Sequence, residues 1–188
     1  MKFSFFSKGN ASVVLVFFLC IIFSCNNSKT SEPIDNSSVQ SKQQELIKVL
    51  ETKMHASVSL DNAIGQLASH EYFKYAENYP DDSLTPGYLF KGGEVATAIQ
   101  DYKSALRAYE KITVSYPTFQ YARESLYLQG FLLDNYLNDD AKAKSVYEKF
   151  LSVYKSGPYV EDAKAAIANL GKSDEELIQQ FKKMNSVK

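Results

Sequence analysis

Few side chains of this 188-residue chain have the types and spacing that catalysis or metal binding requires. The chain contains two histidines, His55 and His70, and no cysteine after Cys25. A zinc site needs three or four ligands in workable spacing, and a hydrolase triad needs a nucleophile in a suitable local motif. Neither arrangement is visible, so we predict no catalytic residue, no metal site and no cofactor.

Three short motifs could be suspected of binding ions or phosphate. Gly92-Gly93 lacks the Lys and Ser/Thr that follow the glycines of a phosphate loop. Asp81-Asp82 and Asp139-Asp140 lack the ligand spacing of a calcium loop. We expect these aspartates to cap or solvate turns between helices.

Cys25 carries the clearest chemical prediction. The segment before it has a basic start, an apolar run from Ala11 to Phe23, and the small residue Ser24. These are the three parts of a secretion signal. A spanning helix needs about 20 apolar residues, and this run is shorter. We therefore interpret residues 1–24 as a removable signal peptide.

The four residues that end at Cys25, Ile22-Phe23-Ser24-Cys25, resemble the lipobox of bacterial lipoproteins. The resemblance implies cleavage before Cys25, acylation of its thiol and attachment to a membrane. Cys20 would leave with the signal, so acylation would also explain a lone cysteine in an exported chain. Asn26 resembles the sorting pattern that releases lipoproteins to the outer membrane, where we expect the chain to face the periplasm. A signal cut nearby, an uncleaved anchor, the inner membrane and the other leaflet all remain alternatives.

The remaining 164 residues suit one compact domain. Loss of Lys2 and Lys8 leaves 19 basic against 22 acidic side chains. This balance, without a basic patch, gives no electrostatic reason to expect nucleic acid. Residues 25–40 are almost entirely polar, so we predict a lipidated flexible tether there and a folded domain over residues 41–188.

A pattern recurs three times in this domain, with a period of 37 or 38 residues. A small residue is followed by large ones four, seven and eleven positions later, which places all four on one helical face. The small residue and the first large residue are Ala68 and Tyr72 in the first copy, Ala105 and Tyr109 in the second, and Ala143 and Tyr147 in the third. Gly93 and Gly130 lie in the helical segments upstream, where glycine costs about 1 kcal/mol relative to alanine. We interpret both glycines as positions where the backbones of two paired helices come into close contact.

These residues resemble the tetratricopeptide repeat from about Asp61 to Gly171. The resemblance implies an all-α fold, a short α-solenoid of tetratricopeptide-like helix pairs. Fixed periods of this size are typical of stacked units. No alternating strand pattern of useful length follows residue 40, which also favours an all-helical domain.

Helices are predicted at both ends of the stack. The first runs from Ser41 to about Met54, opens with a capping box of Ser41 and Gln44, and has Leu46, Ile47, Leu50 and Met54 as its apolar stripe. A later helix runs from Tyr159 to Leu170 and stops at Gly171. Ser173 and Glu176 then resemble a capping box that opens a C-terminal capping helix, with Leu177, Phe181 and Met184 covering the apolar edge.

A solenoid without catalytic groups most often acts through its surface. The resemblance implies that the first helix of each pair lines a protein-binding groove, with Phe90 and Glu94 from one repeat and Tyr127, Phe131 and Asp134 from the next. Aromatic rings supply most of the affinity in such grooves, and carboxylates select basic partners. The set lacks the Lys and Asn residues of the carboxylate-clamp subtype. We expect envelope proteins or extended peptides as partners and no small-molecule substrate.

Two groups of envelope proteins look similar. The alanine and tyrosine-proline spacing, together with the lipobox, is similar to BamD-type lipoproteins that assist insertion of outer-membrane β-barrels, and to the repeat region of the Tol-Pal coordinator. We therefore expect a lipid-anchored interaction scaffold of the bacterial cell envelope, with outer-membrane protein assembly as one use. The alternatives are a purely structural subunit of an envelope complex and a periplasmic hydrolase that uses His55 or His70.

Overall fold

The computed structural model describes residues 36–56 and 59–185, and every regular element in these ranges is an α-helix. The helices are α1 (Asn36–His55), α2 (Asn62–Asn78), α3 (Thr85–Ala98), α4 (Tyr102–Ser115), α5 (Ala122–Asn135), α6 (Asp140–Val153), α7 (Val160–Asn169) and α8 (Asp174–Asn185). From α1 to α7, each helix packs against the next one in the chain. The predicted all-α fold, a short α-solenoid of tetratricopeptide-like helix pairs, is confirmed.

The repeated pattern of one small and several large residues, which we call the ladder, forms the core of the stack. Its small residue and the tyrosine four positions later are at most 2% exposed in all three copies, and the residue seven positions later is completely buried. These positions are Ala68, Tyr72 and Tyr75 on α2, Ala105, Tyr109 and Ile112 on α4, and Ala143, Tyr147 and Phe150 on α6. The small side chain allows a neighbouring helix to approach, and the large ones fill the space beside it.

Gly93 and Gly130 provide the close approach that the sequence predicts. A Cβ atom on Gly93 would lie 2.7 Å from Cε1 of Tyr109, and one on Gly130 would lie 2.6 Å from Cε1 of Tyr147. Neither position leaves space for a methyl group. The first helix of each of these pairs is therefore fixed against the tyrosine ring of the second.

Aspartates cap the second helix of each pair. Asp61 accepts hydrogen bonds from the backbone N–H of Ala63 at 2.8 Å and Ile64 at 3.0 Å. Asp101 and Asp139 accept the equivalent bonds that open α4 and α6. These bonds satisfy N–H groups that the helix leaves unpaired.

Asp82 lies in the turn between α2 and α3. Its Oδ1 accepts a hydrogen bond from the backbone N–H of Leu84 at 2.8 Å, and its Oδ2 accepts one from Nε2 of Gln40 at 2.8 Å. Asp82 therefore has a role in the turn, as predicted.

Helix α1 begins five residues earlier than predicted, at Asn36. The predicted capping box at Ser41 is therefore wrong, because Ser41 lies inside the helix and its hydroxyl donates to the carbonyl of Ser37 at 2.8 Å. Residues 36–40, which the sequence assigned to the tether, are helical. Asn36, Ser37 and Ser38 are residue types that favour helix caps, but the segment has only one apolar residue, Val39, and so no apolar periodicity that would reveal a helix.

The predicted apolar stripe of α1 is correct at Ile47 and Leu50, which are 2% and 4% exposed, and wrong at Leu46, which is 40% exposed. Gln43, which is only 8% exposed, is buried on the inward side of α1 instead. Its amide is satisfied because Nε2 donates to Oε2 of Glu71 at 3.2 Å. A buried amide with a partner on α2 thus replaces an apolar side chain.

The turn before the last helix has the conformation and the cap that the sequence predicts. Gly171 has a left-handed φ of +73°. The backbone N–H of Ser173 donates to Oε2 of Glu176 at 2.8 Å, and the N–H of Glu176 donates to Oγ of Ser173 at 3.3 Å, which is the predicted capping box. Leu177 is half-buried. The side chains of Phe181 and Met184 lie outside the described part of the chain.

Cys25 and the predicted signal and lipobox also lie outside the described residues. Across residues 36–56 and 59–185, no helix has the length and apolar character needed to cross a membrane.

Candidate protein-binding groove

Three adjoining hollows lie along one side of the solenoid, where the first helices of successive pairs meet. We call this side the inner face. The α1–α3 hollow is about 390 Å³ and includes Glu51 and Tyr72. The α3–α5 hollow is about 560 Å³ and shares Lys91 and Glu94 with the first. The α5–α7 hollow is about 590 Å³ and reaches the turn before α8. Together the three hollows involve residues of α1, α3 and α5, the first helices of the three pairs.

Glu51 organises the α1–α3 hollow. Its Oε1 accepts hydrogen bonds from the hydroxyl of Tyr72 at 2.8 Å and from Nζ of Lys91 at 2.6 Å. Burial raises the pKa of the Glu51 carboxyl, but these two bonds and the charges of Lys91 and His55 together place it below its usual value. Glu51 therefore stays ionised and is neutralised within the protein.

Phe90 and Glu94, two of the predicted groove residues, both line the α3–α5 hollow. Phe90 is only 7% exposed, because the ring of Tyr121 stacks on it at 4.7 Å between centroids. Phe90 thus forms a wall of the hollow and mainly packs. Glu94 keeps contact with solvent, but partial burial of its carboxyl, followed by the nearby charge of Glu124, raises its pKa.

Tyr127, Phe131 and Asp134 line the α5–α7 hollow. Tyr127 stacks on Tyr159 at 4.6 Å between centroids, and its ring lies 6.4 Å from that of Phe131. Burial, followed by the charge of Asp140, raises the pKa of the Asp134 carboxyl. This hollow therefore combines two aromatic faces with a pair of interacting carboxylates.

The structure thus brings the five predicted groove residues onto two adjoining hollows. Glu124 was missed, although it lies one turn before Tyr127 on α5 and its spacing could have indicated it. Its Oε1 accepts a hydrogen bond from the hydroxyl of Tyr159 at 2.9 Å, and the ring of Tyr159 stacks on Tyr127 of the next hollow. Tyr121 was also missed, because it precedes α5 and lies outside the helical periodicity.

The two histidines are separated on the surface. His55 lines the α1–α3 hollow, whereas His70 lies in a different hollow between α2 and the α3–α4 turn. Among the described residues, no group of three or more His, Cys, Asp or Glu side chains is placed to hold a metal ion.

Residues 124–156 match the family model of a tetratricopeptide repeat. The match covers most of α5, all of α6 and the turn between them. It supports a tetratricopeptide-repeat protein, and with it a protein–protein interaction scaffold. Among curated proteins, no sequence matches this chain.

Proposed function

We propose that this chain is a lipid-anchored interaction scaffold of the bacterial cell envelope that holds partner proteins along its inner face. The observation that carries the proposal is the row of three adjoining hollows, each lined by tyrosine or phenylalanine rings and by carboxylates. Aromatic side chains supply rigid contact area at protein interfaces, and charged groups select the partner. Assistance to outer-membrane protein assembly is the use that the BamD-type resemblance favours.

Site-specific photo-crosslinking tests the inner face. A benzophenone amino acid at Phe131, whose ring borders the α5–α7 hollow, should produce adducts with a partner in living cells. The control position is Val114, which is 76% exposed on α4 and outside the three hollows. Adducts that form equally well from both positions would show that contact is not confined to the inner face.

The anchor requires a separate test. Cys25→Ser removes the thiol that would carry the acyl chains, so the variant should not incorporate an alkyne fatty acid and should leave the membrane fraction. The unaltered chain, labelled in parallel, is the control. Incorporation of the fatty acid into the Cys25→Ser protein would contradict the lipoprotein proposal while leaving the inner-face proposal standing.

A further inference from the structure

Apart from Glu51, which Lys91 neutralises, four carboxylates of the inner face form two pairs that take part in no ion pair among the described residues. In the α3–α5 hollow, Glu94 faces Glu124, and Lys91, the lysine of that hollow, is held 2.6 Å from Glu51. In the part of the chain that the structure describes, no ion pair includes Glu94 or Glu124. The charge of Glu124 disfavours the ionised form of Glu94.

The second pair, Asp134 and Asp140, lies in the α5–α7 hollow. Asn169 lines the same hollow, and its side-chain oxygen is buried and receives no hydrogen bond from the residues that the structure describes. Lys172, also in this hollow, donates to Oε1 of Gln180 at 2.7 Å. An unsatisfied buried acceptor costs about 1–3 kcal/mol, so this hollow favours a group that brings a hydrogen-bond donor. The two carboxylates favour a group that also brings positive charge.

The raised pKa values of Glu94 and Asp134 agree with this geometry. For each carboxyl, burial is the larger cause and a neighbouring carboxylate adds to it, while the charge of Lys91 on Glu94 and the hydrogen bond of Tyr147 to Asp134 offset only part of the rise. A bound cation would offset both causes, because it replaces lost hydration and reduces the repulsion. Lys and Arg can also lay their stems along the rings of Tyr121 and Tyr127 beside these carboxylates.

We infer that the inner face binds an extended segment of a partner protein that carries Lys or Arg side chains in at least two places, one for each carboxylate pair. The inference rests on the proposed function and adds the chemistry of the partner. The pairs lie on successive repeats, so the segment crosses from one hollow to the next past Glu124 and Tyr127, which are one helical turn apart on α5.

Peptide binding to the full chain tests the inference. The probe is a fluorescein-labelled dodecapeptide of four Ser-Arg-Ala units, acetylated and amidated, whose arginines lie about 10 Å apart when extended. Matched peptides carry Gln or Glu in place of Arg. In fluorescence anisotropy at about 0.15 M salt, the Arg peptide should bind at least tenfold more tightly than the Gln peptide, and the Glu peptide should bind least.

Matched variants locate the binding. Glu94→Gln with Asp134→Asn should weaken binding of the Arg peptide at least tenfold. Glu110→Gln with Glu148→Gln makes the same change in net charge on exposed faces of α4 and α6 and should leave binding unchanged. Circular dichroism checks that both variants remain folded.

Two outcomes would overturn the inference. Equal binding of the Arg and Gln peptides would show that the face does not select charge, and equal loss in both variants would show only non-specific attraction to an acidic protein. Either result leaves the crosslinking at Phe131 to decide the proposed function independently. If crosslinks form at Phe131 but the Arg peptide does not bind selectively, the proposed scaffold function stands and the inference of a basic partner is wrong.

Discussion

Tyr72, Tyr109 and Tyr147 show how one residue type serves both packing and polarity. Each ring is at most 2% exposed and fills the same place in successive repeats. The hydroxyl of Tyr72 reaches the inner face and donates to Glu51 at 2.8 Å. Because a tyrosine ring is apolar and its hydroxyl is polar, the core and the inner face meet at these side chains.

These tyrosines should make the domain sensitive to alkali. Burial is the main cause that raises the pKa of all three above the usual value of about 10. Above that pH the unfolded chain loses the tyrosine protons while the folded chain keeps them, so the stability present below pH 10 is lost as pH rises. Each tyrosine should lower the free energy of unfolding by up to about 1.4 kcal/mol per pH unit. Urea unfolding between pH 8 and 11 measures this slope.

Tyr109→Phe provides the control for the alkaline effect. The variant keeps the ring and removes the ionisable group, so its stability should fall less steeply with pH. A slope identical to that of the unaltered chain would show that Tyr109 does not contribute.

Two glycines of α3 should respond in opposite ways to the same substitution. Gly93→Ala places a methyl group 2.7 Å from the ring of Tyr109 and should destabilise the domain by about 1–3 kcal/mol. Gly87→Ala has no atom within 4 Å of the new Cβ and should stabilise it by up to about 1 kcal/mol through helix propensity. Thermal unfolding of both variants measures the difference. Equal effects would mean that α3 can move away from α4.

At the scale of elements, the turns inside the second and third pairs share a left-handed residue. Gln100 has φ of 65° and Asn138, 38 positions later, has φ of 51°. Asparagine tolerates this region better than glutamine does. The third repeat therefore has the more suitable residue at this turn, and the second has backbone strain that a substitution can relieve.

Gln100→Gly should stabilise the domain by up to about 1 kcal/mol, because glycine adopts positive φ without a steric cost. The measurement is the urea midpoint of unfolding. Lys144→Gly, at an exposed position inside α6, is the control and should lower stability by about 1 kcal/mol. A decrease in both variants would contradict the interpretation of the turn.

Some helices could be predicted from the sequence and others could not. The buried positions of the ladder on α2, α4 and α6 could be predicted, because its spacing repeats and each position meets the same environment. The start of α1 was not, because its first residues are polar and its inward Gln43 depends on Glu71, a partner 28 positions away. The residue that covers Phe90 was also hidden, because Tyr121 belongs to another repeat and precedes its helix.

At the scale of the whole molecule, the core is divided along the stack. One group of buried side chains joins α1 and α2, a second is centred on α3 and α4, and a third joins α5, α6 and α7. Leu106 packs against both the second and the third group. Repeat proteins of this kind gain stability from each unit and from contacts between neighbours. The solenoid should therefore be able to open at one end while the other end stays folded.

Tyr147→Ala tests this division, because Tyr147 lies at the centre of the third group and is 1% exposed. Loss of a buried aromatic side chain costs about 3–5 kcal/mol, so amides in α5, α6 and α7 should exchange with deuterium at least about 100-fold faster. Amides in α1 and α2 should change little, since their core group does not include Tyr147. Val114→Ala, at a position 76% exposed, is the control and should leave all helices unchanged. Equal acceleration in every helix would mean that the stack unfolds as one unit, in which case contacts between repeats dominate over the stability of each repeat.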